Sequence, residues 1–295
     1  MKKNKLPKKA KLYFSKSVRY CAKNKLEKAL ECLNKAIDIY PNYAKFYNCR
    51  ATLYETFDDT KQAIEDLTKS FQLNPKSSFA YNFRGLLYCM KFDDFKKALA
   101  DYTKAIEVNP NNYEGYFNRA NIYSQQELYD LSIKDYSKTI KLKPDYFQAY
   151  INRGKDYCYK KEFDNAENDF LTALNIAKIS KGSIYLSYYN LGNLELAREN
   201  YRKAVKYYTE AINQKISLFL KIESYYERGL CQTCCYNFEE AISDFTIAIK
   251  ISEMDINYSD RLQEFREIRN VAYEAFEVMK EVEQESLFFG KKNEN

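Results

Sequence analysis

The feature that most restricts how this chain can fold is a pattern that returns about every 34 residues. It reads Tyr-x-Asn-Arg-Gly/Ala-x-x-Tyr, followed by Ala-Ile-x-Asp-Tyr-x-Lys-Ala-Ile. With the small residue of the first run set at position 8, seven repeats start at Ala10, Ala44, Ser78, Tyr113, Phe147, Tyr185 and Ile222, the third with one extra residue. Position 8 is always small (Ser17, Ala51, Gly85, Ala120, Gly154, Gly192, Gly229), as are position 20 (Ala29, Ala63, Ala98, Ser132, Ala166, Ala204, Ala241) and position 27. Position 24 is always large: Leu33, Leu67, Tyr102, Tyr136, Phe170, Tyr208, Phe245. Helix axes approach to about 8–10 Å only where side chains are small, and the bulky neighbours must then fill the remaining space. Each repeat is therefore predicted to be a helical hairpin.

Five Pro and seven Gly in 295 residues leave few places for tight turns, and the chain is predicted to be all-α. Pro41, Pro75, Pro110 and Pro144 close the first four repeats, because a residue without an N–H and with fixed φ stops a helix. Later repeats lack that stop, and Ile179 to Ser183 is predicted to be a longer connection. From Ser259 to about Ser286, Leu262, Phe265, Ile268, Ala272, Ala275, Phe276, Met279 and Val282 recur at helical spacing. An array exposes an apolar end unless a terminal element covers it, so this helix is expected as a cap and Phe288 to Asn295 as a fraying tail. The chain thus divides into a basic arm (1–9), repeats at 10–43, 44–77, 78–112, 113–146, 147–184, 185–221 and 222–258, a capping helix (259–286) and a tail (287–295).

The small-large-small pattern resembles the tetratricopeptide-repeat (TPR) family over most of the chain. The family's Trp at position 4 is replaced by Tyr13, Tyr47, Tyr81, Tyr116, Tyr150, Tyr188 and Tyr225, and the chain has no Trp. The resemblance implies a TPR solenoid, a right-handed superhelix of antiparallel hairpins. It also implies a non-enzymatic scaffold that binds a protein or peptide along its first helices.

Arg occupies position 7 in five repeats (Arg50, Arg84, Arg119, Arg153, Arg228), a column that resembles a phosphate-binding ladder. The same five repeats carry Asp at position 23 (Asp66, Asp101, Asp135, Asp169, Asp244), and the two repeats without Arg also lack Asp. The two columns are read as Arg–carboxylate pairs joining the helices of each hairpin, since an unpaired charge there is costly to desolvate.

In proteins of this family, positions 2, 5, 6, 9 and 12 of the first helices line the binding groove. Here that stripe holds Asn48 and Asn82 at position 5, Asn118, Asn152 and Asn190 at position 6, and Asn121 and Asn193 at position 9. Asn offers both donor and acceptor, so such a row can pair with a peptide backbone irrespective of its side chains. A similar ladder occurs in the repeat domain of O-linked N-acetylglucosamine transferase; the alternative is a general richness in Asn. Phe79, Phe83, Phe117, Tyr189 and Tyr226 between the amides are candidate receptors for apolar anchors, or else pack between repeats. The carboxylate clamp of co-chaperone relatives is not matched, because the best register (Phe117, Asn121, Asn152, Leu186, Asn190) lacks its cations.

The chain has no His, which removes the commonest general base and metal ligand, and no phosphate-cradling Gly loop. Asp58-Asp59, Asp93-Asp94 and Glu239-Glu240 are read as helix caps. Cys231, Cys234 and Cys235 lack the further ligands of a closed zinc site, and the eight Cys are expected to be reduced thiols. No enzyme activity and no cofactor are expected. Met1 to Lys28 hold eleven Lys or Arg against Glu27 alone, a local balance of +10 within a net charge of +6. That segment is read as a solvated tail or, alternatively, as an adaptor for nucleic acid or an anionic membrane, partners ranked below protein or peptide. Met1 to Lys11 lacks the apolar run and small-residue cleavage site of a secretory signal, so a cytoplasmic location is expected, as a monomer or weak homodimer.

Overall fold

In the computed structural model, which describes residues 6–180, 183–254 and 259–292, the chain is helical apart from short connections, and no strand occurs among these residues. The first unit, Met1–Pro144, pairs α1 (Lys8–Ala22) with α2 (Leu26–Ile39) and α3 (Ala44–Thr56) with α4 (Thr60–Leu73). It continues with α5 (Ser78–Phe92) on α6 (Phe95–Val108) and α7 (Tyr113–Gln125) on α8 (Tyr129–Leu142). The second unit, Asp145–Asn295, pairs α9 (Phe147–Tyr159) with α10 (Phe163–Ser180) and α11 (Ile184–Ala197) with α12 (Tyr201–Ile212). Then come a 3-10 turn (Phe219–Lys221), α13 (Ile222–Cys234) with α14 (Phe238–Ser252), and α15 (Ser259–Lys292). Within each unit every second helix also packs on the first helix of the next hairpin.

The hairpins close through the small positions. A Cβ added to Gly192 would stand 2.6 Å from Cε1 of Tyr208, and one on Gly85 would stand 2.8 Å from Cε1 of Tyr102. The position-24 ring therefore lies directly on the position-8 backbone, and Tyr102, Tyr136, Phe170, Tyr208 and Phe245 are all buried by that contact. The turn between the two helices is equally regular. One residue in each hairpin is left-handed: Asn24, Asp58, Asp93, Glu127, Lys161, Glu199 and Tyr236. The next N–H then closes onto a carbonyl five residues back, as from Glu162 to Tyr157 and from Asn200 to Glu195, each at 2.8 Å, or six back in the third hairpin with its extra residue, from Asp94 to Tyr88. Asp59 and Asp94 cap the second helices, accepting from the N–H groups of Gln62 and Lys97.

Four features differ from the sequence reading. The extra residues of the fifth repeat do not form a long connection: α10 has 18 residues where α2, α4, α6 and α8 have 14. With no Pro to stop it, the helix runs on while Ala177 still finds a buried contact; Lys181 and Gly182 lie outside the described residues. The last helix continues past 286 to Lys292, through the start of the expected tail, and 293–295 lie outside the described residues. At the other end, α1 begins at Lys8, so most of the basic segment is helix and only residues 1–5 lie outside the described set. Tyr226 is not open to a ligand, because Phe265 of α15 covers it at a ring distance of 4.8 Å and leaves it 6% exposed. No helix among the described residues is long and apolar enough to cross a membrane.

Candidate functional site

Each position-7 arginine holds the position-23 aspartate with two parallel hydrogen bonds. Arg50 donates Nε to Asp66 Oδ2 at 2.7 Å and Nη2 to Oδ1 at 2.8 Å, and Arg84–Asp101, Arg119–Asp135, Arg153–Asp169 and Arg228–Asp244 repeat the geometry at 2.7–3.0 Å. The guanidinium is also flanked by rings, as with Arg50, whose Cζ lies 5.6 Å from the centroids of both Tyr47 and Tyr54. The remaining Nη1 reaches the preceding hairpin. Arg50 donates to Asn34 Oδ1, Arg84 to Thr68 Oγ1, Arg119 to Thr103 Oγ1 and Arg228 to Thr209 Oγ1, at 2.8–3.2 Å. These side chains are spent inside the fold, joining two helices of one hairpin and that hairpin to its neighbour.

The sixth repeat, with Leu191 and Tyr207 in those columns, carries a different polar link. Glu195 is 1% exposed and accepts from Arg198, Asn200 and Lys203, while Arg198 and Lys203 also reach Glu167 on α10. Those two cations hold the Glu167 carboxyl below its ordinary range, the Arg198 hydrogen bond first. The sequence carries a signal for this link at position 11, which is Tyr in the first five repeats and Glu in the sixth.

The asparagines divide between the units. In the first, Asn118 Nδ2 donates to Asn82 Oδ1 at 3.2 Å, joining α7 to α5. Asn48 on α3 has a buried Oδ1 without a partner among the described residues. Phe83 lies against Phe79, which is 49% exposed, and Phe117 packs on Tyr136. In the second unit Asn152 lies half-buried on α9, and Asn190 donates Nδ2 to Leu186 O at 2.6 Å. The two position-9 asparagines share one role: Asn121 Oδ1 accepts from the Tyr136 hydroxyl, and Asn193 Oδ1 from the Tyr208 hydroxyl, each at 2.7 Å. A buried tyrosine hydroxyl requires such a partner. Thus several of these amides already spend one bond on the fold, although each retains capacity for more.

Between α9 and α11 the second unit holds a surface cavity of about 260 Å³, lined by Lys155, Cys158, Tyr159, Tyr189, Asn190 and Asn193 with Phe170 as its floor. Burial pushes the Tyr189 phenol up to about 12 and the Cys158 thiol to about 11, so both are neutral near pH 7. Tyr159 is 69% exposed at the rim. The cavity can take an apolar side chain, with Asn190 and Lys155 beside it for polar groups. All eight cysteines are free thiols, and no group of His, Cys, Asp or Glu fit to hold a metal occurs among the described residues.

Comparison with known proteins agrees with this architecture. Tetratricopeptide-repeat family models match residues 44–77, 113–146 and 145–216, and a TPR-repeat model matches 19–56 and 93–127. No curated protein matches the sequence. Among solved structures, a TPR repeat-containing protein from Cytophaga hutchinsonii is 20% identical with a TM-score of 0.64, the match covering 84% of this chain and 99% of that one. A tetratricopeptide repeat protein from Parabacteroides merdae is 18% identical with a TM-score of 0.63, covering 89% and 99%. The protein MamA is 25% identical over 58% of this chain and 92% of its own, with a TM-score of 0.51. Repeat spacing, hairpin geometry and these matches agree, and the chain belongs to the tetratricopeptide-repeat family.

Proposed function

We propose that this protein is a non-enzymatic interaction scaffold that holds an extended peptide, or an extended segment of a partner protein, along the position 2, 5, 6, 9 and 12 faces of its first helices. The observation that carries this reading is the cavity between α9 and α11, where three aromatic rings converge with two amides and one lysine. An apolar side chain of the ligand would sit on Phe170 between Tyr159 and Tyr189, a burial worth about 1–2 kcal/mol. Asn190 has its Nδ2 committed to Leu186, which leaves Oδ1 to accept a ligand N–H. Asn152 extends the same chemistry onto α9 within this unit, and in the first unit Asn82 and Asn118, with Phe83 and Phe117, offer a face of the same kind on α5 and α7.

A random-peptide display selection on the immobilised full chain tests this reading. Selected sequences should share an apolar residue, and their affinity should fall about tenfold in Tyr159→Ala. Tyr159 is exposed, so this change leaves the fold intact. The reading fails if no sequence is enriched, or if enriched peptides bind the Tyr159→Ala and Lys155→Ala proteins as well as the unaltered chain.

A further inference from the structure

Helix α1 buries Ala10 and Ser17 on one side, with Tyr13 and Phe14 partly covered against the first core. At about 100° per residue, the opposite side gathers Lys8, Lys11, Leu12, Ser15 and Arg19, flanked by Lys16. All of these except Ser15 are exposed, Leu12 at 53%, and Val18 beside Lys11 is also 53% exposed. The helix contains no acid, and among the described residues no ion pair involves any of its cations. By comparison, Arg198, Lys203, Arg261 and Lys91 are each matched to carboxylates.

We infer that the free face of α1 docks on an anionic lipid surface. Unmatched cations concentrated on one face attract a negatively charged layer, while the two half-exposed aliphatic side chains among them gain by entering the boundary between headgroup and acyl chain. A nucleic-acid backbone would use the charges and leave Leu12 and Val18 without a role, so the lipid surface is the better match. The helix is already folded by its packing on α2, so docking requires no coupled folding. Lys11, Ser15 and Val18 stand at positions 2, 6 and 9 of the first repeat, but no residue of the cavity between α9 and α11 that carries the peptide reading belongs to this face, so the Tyr159→Ala and Lys8→Gln, Lys11→Gln, Arg19→Gln experiments test the two readings separately.

Co-sedimentation of the full chain with phosphatidylcholine vesicles, with and without about 30 mol% phosphatidylserine, tests the inference. Only the anionic vesicles should carry the protein down, and less so as salt rises beyond about 0.1 M. Lys8→Gln, Lys11→Gln and Arg19→Gln together should weaken binding roughly a hundredfold, about fivefold for each cation. Leu12→Ser should weaken it about tenfold and leave any binding to duplex DNA unchanged. Every altered side chain is exposed, and unchanged circular-dichroism melting identifies a folded variant. The inference is overturned if anionic vesicles leave the protein in solution, or if the triple variant binds like the original. It is also overturned if Leu12→Ser has no effect, which marks a surface that reads charge alone, as nucleic acid does.

Discussion

Arg119 and Asp135 meet through two parallel hydrogen bonds, Nε to Oδ2 at 2.7 Å and Nη2 to Oδ1 at 3.0 Å, with the carboxylate almost wholly out of water. Removing either partner strands the other charge in a poorly solvated place, at a cost of about 3 kcal/mol. Removing both leaves no orphan. In urea unfolding, Arg119→Ala with Asp135→Ala should therefore cost clearly less than the sum of the single changes. Strict additivity would remove the pairing as a source of stability.

Tyr208 and Asn193 make a smaller test of the same principle. Tyr208→Phe leaves Asn193 Oδ1 without its donor and should destabilise by about 1 kcal/mol. Adding Asn193→Leu recreates the combination that the seventh repeat uses, Phe245 with Leu230, and should recover most of that loss. If the double variant melts no higher than Tyr208→Phe alone, the asparagine is not there to satisfy the hydroxyl.

The hairpin turns offer a gain in stability. Glu127, Lys161 and Glu199 hold φ of 60°, which costs a residue with a Cβ but not glycine. Glu127→Gly and Lys161→Gly should each stabilise by about 0.5–1 kcal/mol, measured by thermal melting. Asn24→Gly should change little, because asparagine already tolerates this conformation.

Glu227 on α13 carries a pH signature. Burial raises its carboxyl above the ordinary 4.5, Glu223 and Glu264 add to the effect, and Arg261 opposes it. The folded state thus binds this proton more tightly than the unfolded state, and stability is lost as pH rises through the folded value. Glu227→Gln, which mimics the protonated form, should raise the melting temperature at pH 7.5. Its advantage should vanish below about pH 4.5, where both states are protonated. A benefit equal at pH 4 and pH 7.5 would exclude the titration of Glu227 as its cause.

Much of this protein can be read from its sequence because a repeat displays each contact several times. The Arg and Asp columns rise and fall together within single repeats, and their pairing follows from that covariation. The third partner was present in the sequence as well: Asn34, Thr68, Thr103 and Thr209 at position 25 each precede an Arg-bearing repeat, and Leu171 precedes Leu191. That relation crosses a repeat boundary, so it is invisible when each repeat is read by itself. Tyr at position 24 with Asn at position 9 occurs in two repeats, too few to separate from a general richness in asparagine.

The 34-residue period, the hairpins and the buried charge pairs were determined by sequence alone, because small, large and charged residues at fixed spacing allow one local packing. Only the tertiary structure decided what the non-repeating residues do. Whether Asn193 faces a ligand or a tyrosine hydroxyl, whether Ile179 and Ser180 extend a helix or form a connection, and whether Lys8 and Arg19 share a free face with Leu12 all depend on neighbours distant in the chain. A side chain's type sets which bonds it can make, and only the surrounding packing sets which of them are already made.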